Sequence, residues 1–148
     1  MEIVKKYKWL LIIVLVLLAG IFSFFIRMYQ NDMSVLTGFV ASYERFDKAI
    51  SAFSISSTDE LENGTRDAFR ELNTKATFRI SSLIKNEKEA MAQAREVADF
   101  SGRELNSLIA YKVAIQNKNP APVRLLKEYE DLTTKRKAAY ARFQELGK

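Results

Sequence analysis

Neither cysteine nor histidine occurs anywhere in the 148 residues. Disulfides are therefore impossible, and packing alone must hold the fold. The usual zinc ligand sets, haem ligation by His or Cys, and Cys or Ser-His nucleophiles are excluded as well. So is the ferritin-like di-iron pattern, which needs Glu-x-x-His on two helices. Proline and glycine are scarce, at 2 and 5 residues. A chain this poor in turn formers is predicted to be mostly helix. A strong charge of one sign is also missing. The formal net charge of +5 divides into +2 from residues 1–8, where three Lys face Glu2, and +3 from the remainder. That is no nucleic-acid footprint, and no nucleic-acid partner is expected.

One long apolar run is present. The 18 residues from Trp9 to Ile26 carry no charge. As a helix they span roughly 27 Å, close to the hydrocarbon thickness of a bilayer. Tyr7, Trp9 and Tyr29 stand at the two boundaries, where amphipathic rings prefer the headgroup layer. Lys5, Lys6 and Lys8 precede the run, whereas only Arg27 follows closely and Asp32 soon offsets it. The positive-inside rule then places residues 1–8 in the cytoplasm, 9–26 across the inner (cell) membrane, and 27–148 outside as an extracytoplasmic helical domain. A cleaved signal peptide shares the basic start and the apolar stretch. The run is longer than a usual h-region, however, and Phe22, Phe24 and Phe25 occupy the place where a small-residue cleavage site would stand. A retained signal-anchor is the expectation.

Helical spacing recurs in three later stretches. Met33, Leu36, Val40, Tyr43, Phe46, Ile50 and Phe53 form the first seam, with a period near that of shallowly crossing helices. Ser54 to Asp59 is a cluster of cap and turn formers, with Ser57 and Glu60 at capping-box spacing and Thr65 after Asn63-Gly64 as a second cap. Phe69, Leu72, Ala76, Ile80 and Leu83 begin a second face that Met91, Ala94, Ala98, Leu105 and Leu108 continue. Asn117 to Pro122 breaks it. Leu125, Tyr129, Leu132, Tyr140, Phe143 and Leu146 mark the last stretch, where Arg136 and Lys137 fill the gap between Leu132 and Tyr140.

The fold class is therefore all-α: one N-terminal transmembrane helix followed by an antiparallel helical bundle. Residues 66–116 have two solutions. One helix of 51 residues would give three helices and leave each half with an open apolar face. A break near Lys85 to Glu89, with Asn86 as the cap and Glu89 at N3, would give four helices of matched length and a shared core. Four helices are preferred.

The remaining candidate acids and bases are carboxylates, Lys and Tyr. The acids alternate with cations at i,i+4 spacing, as in Glu62 with Arg66, Glu71 with Lys75 and Asp131 with Lys135, which is surface pairing. No site constellation appears, and neither an enzyme nor a cofactor nor a metal is expected. Asn63-Gly64-Thr65 fits a glycosylation acceptor and equally an Asn-Gly turn. Most aromatics lie on the seams and read as core. Phe78 and Phe100 lie off them and are the candidate partner contacts. In a four-helix arrangement the C-terminus points back toward the bilayer. Lys135, Arg136, Lys137, Arg142 and Lys148 lie on the last helix, and Arg142 and Lys148 near its end are the candidate membrane-surface contacts.

A short basic start, one anchor and an outer helical bundle form a layout similar to that of LemA-type proteins and of many bacterial membrane accessory subunits; the likeness is one of layout, without a family motif. The expected function is a single-pass helical scaffold or accessory subunit that packs against a protein partner or itself in a membrane-associated assembly, with the lipid bilayer as its other partner. The alternative is an extracytoplasmic domain that binds or senses a small ligand between its helices. With eight residues before the anchor, a sensor is expected to pass its signal through a partner.

Overall fold

The computed structural model describes residues 2–81, 84, 86–118 and 122–146, with side chains from Tyr7 onward. Among the described residues four helices follow one another: α1 (Glu2–Ala52), α2 (Asp59–Ala76), α3 (Glu87–Gln116) and α4 (Pro122–Leu146). Each packs on the next through a short connection, as an antiparallel bundle requires. The all-α fold with four helices is as the sequence predicts.

A 51-residue helix does exist, but it is α1 rather than 66–116. At about 77 Å it carries both the apolar stretch and the first helix of the bundle. Residues Tyr7 to Ile26 are exposed all round, and the helix is long and apolar enough to cross a membrane. Beyond Arg27 it continues unbroken into the core. Nothing in the sequence stops it: no proline occurs in α1, a Cβ on Gly20 would meet open space, and one on Gly38 would meet only the Lys75 side chain at ordinary distance.

The core seam of α1 follows the predicted one at Tyr43, Phe46, Ile50 and Phe53, and only its first part is displaced by one residue, from Met33 and Val40 to Asp32 and Phe39. Asp32, Phe39, Phe46 and Phe53 are buried at seven-residue intervals, with Tyr43 and Ile50 between them. Met33 is 42% exposed and Val40 only partly buried. Two facts account for the shift. Phe39 fills a larger hole than Val40 can, against the rings of Phe78 and Phe143 at 5.9 and 4.8 Å. Asp32, which looks solvated in the sequence, is 3% exposed because its carboxylate accepts from the backbone N–H of Ser81 at 3.1 Å and from its hydroxyl.

The break between α2 and α3 falls earlier than predicted. α2 ends at Ala76, where Thr77 folds its hydroxyl back onto the Thr74 carbonyl at 2.8 Å. The chain then alternates, with Phe78 and Ile80 buried and Arg79 exposed, and a helix could not send both apolar residues inward at that spacing. Asn86 does stand at the N-cap of α3, but at φ 60° and ψ 30° and with no side-chain capping bond. Leu83 and Lys85 of the predicted seam and break lie outside the described residues. Thr58, not Ser57, caps α2, accepting from Leu61 N–H at 3.4 Å. Ser57 Oγ instead accepts from Ser54 N–H. Thr65 donates to the Leu61 carbonyl inside α2, so it caps nothing, and Asn63-Gly64 is helical rather than a turn. α4 begins on Pro122, whose missing N–H costs nothing in a first turn.

Candidate functional site

The most polar part of the interior is built around Arg136 of α4, which is 1% exposed. Its Nε donates to Glu104 Oε2 of α3 at 2.5 Å, and Glu104 is itself 0% exposed. Its Nη1 donates to the Tyr43 hydroxyl of α1 at 2.9 Å. Its Nη2 lies 2.8 Å from Asp47 Oδ1, an ion pair in contact but not in hydrogen-bonding orientation. The guanidinium rests over the rings of Tyr43 and Phe46, 5.3 and 5.5 Å from their centroids. Thr133 Oγ1 reaches Glu104 Oε1 at 2.7 Å. Three helices thus meet on one cation.

The electrostatics follow from this enclosure. Burial pushes the Tyr43 phenol up to about 12; Arg136 opposes the rise and Asp47 adds to it. Burial alone would lower Arg136, but attraction and hydrogen bonding to Glu104 outweigh it and hold the guanidinium above its ordinary value. Arg136 spends its donors on protein groups, and the carboxylates opposite it are paired. The cluster joins α1, α3 and α4 and sets their register.

A second polar joint closes the far end of the bundle. Lys112 of α3 donates to the Ser57 carbonyl and to Glu62 Oε2, both at 3.0 Å, and lies over the Phe53 ring. Hydrogen bonds from Arg66 and then Lys112 hold the Glu62 carboxyl below the usual carboxylate range.

The predicted site residues fare differently. Phe78 is not an exposed contact: it is 9% exposed and stands edge-on to Phe39, because the non-helical segment after Ala76 turns it inward. Phe100 is half-buried against the core. Arg142 is exposed, but the neighbouring Phe143 packs on Phe39, twelve residues or about 18 Å of helix beyond Arg27. Lys148 lies outside the described residues. Arg136, placed by the sequence in a cationic run, is in the core instead. A signal for it did exist: Leu132, Arg136, Ala139 and Phe143 keep helical spacing, and Glu104 stands beside the Ala98 and Leu105 face. One charge of each sign on two apolar faces is the mark of a buried pair.

Exposed large apolar side chains beyond Met33 are, among the described residues, Ile55, Leu61, Val113, Ile115 and Val123. All five belong to the end of the bundle closed by Lys112, remote from the apolar half of α1. No family model matches the chain, and no curated protein and no solved structure matches it.

Proposed function

We propose that this protein is a single-pass, membrane-anchored and non-catalytic helical scaffold or accessory subunit. Its N-terminus lies in the cytoplasm, and its bundle stands outside and packs against a protein partner or a second copy. The observation that carries this reading is α1: one uninterrupted helix is bare and apolar over a membrane's thickness and then forms a wall of the core. A bundle mounted on such a rod is held at fixed height and orientation, which raises its effective concentration for a neighbour in the same membrane. The apolar end around Val113, Ile115 and Val123 is the surface offered to that neighbour. An unbroken helix through residues 20–30 also supports retention of the anchor, since cleavage needs an accessible, non-helical site with small residues.

Native mass of the full-length protein, extracted in mild detergent, tests the reading. The expected result is an assembly heavier than one chain that dissociates when Val113 and Val123 are both changed to Ser. A lone chain with no bound protein overturns it. A C-terminal reporter active only in the cytosol overturns the orientation.

A further inference from the structure

We infer that α1 pairs in parallel with α1 of a second copy, through the side that faces away from the bundle. This rests on the reading of Trp9 to Ile26 as a retained anchor, and it makes a second copy of the chain one neighbour of the scaffold. Ala19, Ser23, Ile26, Gln30, Met33 and Thr37 follow at alternating steps of four and three, and all are exposed. At about 3.6 residues per turn they lie within about 60° of the direction opposite Phe39 and Phe46, the core side of the helix. α2 and α4 close the two flanks, with Arg45 paired to Glu71 on one and Tyr43 stacked on Tyr140 on the other. The back of α1 is left bare, inside the membrane and beyond it.

Beyond the membrane a water-facing helix side is expected to carry charge. The chain is 28% charged, yet between Arg27 and Glu44 the one charged residue is Asp32, which is buried. By contrast the exposed side of α4 carries Lys127, Glu128, Glu130 and Asp131 in close succession. Charge is depleted where a surface meets protein. Thr37 turns its hydroxyl onto the Met33 carbonyl at 2.8 Å, so this face asks for no outside hydrogen bond there. Inside the membrane the same stripe continues through Ala19 and Ser23, whose small side chains let two backbones approach. A partner that follows the stripe through both layers is itself an unbroken helix, parallel to α1 and of the same seven-residue period. α1 is such a helix. A two-fold axis along the membrane normal lays the stripe on its own copy and sets the two bundles on opposite sides, where neither obstructs the other. Gln30 then meets its own copy, and one polar pair within a seam fixes the register.

The absence of native cysteine makes the test direct. Gln30→Cys and Thr37→Cys stand on the stripe, Tyr29→Cys and Asn31→Cys stand beside it, and all four positions are exposed. Each full-length variant is placed at low density in phosphatidylcholine–phosphatidylglycerol vesicles and oxidised with copper phenanthroline. The expected result is a disulfide-linked pair of chains at 30 and 37, with far slower linking at 29 and 31. Ala19→Phe together with Ser23→Phe, which prop the membrane helices apart, abolish the linked pair at 37. Equal rates at all four positions, faster linking at 29 or 31, or no linked pair at any of them overturns the inference and leaves the anchor standing. Linking at 37 that the double Phe variant leaves unchanged overturns the membrane half of the seam. A chain that does not float with the vesicles overturns the anchor, and this inference with it.

Discussion

Arg136 and Glu104 meet at 2.5 Å with side chains 1% and 0% exposed, so neither has water to fall back on. Such a pair contributes little net stability over apolar residues of the same size, yet it is costly to break. Arg136→Met or Glu104→Leu alone is expected to cost about 3–5 kcal/mol, since each strands a buried charge. The double variant is expected to regain most of that loss, because Asp47 is partly open to solvent. Thermal melting of the full chain in detergent, followed by circular dichroism, gives the comparison. A double variant as unstable as the worse single one would show that the pair is net stabilising.

The buried phenol of Tyr43 predicts an alkaline limb. Its folded value of about 12 exceeds the ordinary 10.0, so the folded chain keeps a proton that the unfolded chain releases. This stability is full below about pH 10 and is lost as pH rises toward about 12. Tyr129 and Tyr140, also raised by burial, act in the same direction, so Tyr43→Phe should shrink the limb without abolishing it. On the acid side Glu62 is lowered, so its contribution is present above its ordinary 4.5 and fades as pH falls through its depressed folded value. Glu62→Gln should flatten that limb. Melting temperature against pH measures both.

Gly102 lets α2 and α3 approach closely. A Cβ there would lie 2.8 Å from Cζ of the Phe69 ring. Gly102→Ala gains about 1 kcal/mol of helix propensity but overpacks the contact at about 1–3 kcal/mol, so a net loss of up to about 2 kcal/mol is expected. With Phe69→Leu in place the ring is gone, and the same Gly102→Ala change should become stabilising. The sign reversal, read from melting midpoints of the four proteins, is the test. If Gly102→Ala stabilises in both backgrounds, the ring does not confine this position.

What was hidden in the sequence was hidden for nameable reasons. The one-residue displacement at the start of the α1 seam turns on Asp32, whose burial depends on Ser81, 49 positions away. Phe78 lies off a helical stripe only if its segment is helical; once α2 ends at Ala76 the relevant period is two, and Phe78 goes inward. Arg136 breaks an apolar seam until Glu104, Asp47 and Tyr43 are seen around it. Two of these three errors, at Asp32 and Arg136, concern a polar group whose partner lies on another segment of the chain. Periodicity within one helix contains no information about that partner.

By itself the chain determined its class: the lack of Cys and His, the shortage of Pro and Gly and the bare stretch from Trp9 to Ile26 left a helical protein with one membrane-length segment. These are local properties, set by which residues can turn, ligate or face lipid. Only tertiary structure decided that segment and bundle share one rod, where the second helix stops and which cation is buried. Those outcomes depend on the free energy of desolvating Asp32, Glu104 and Arg136, which is recovered only when helices distant in sequence bring them their partners.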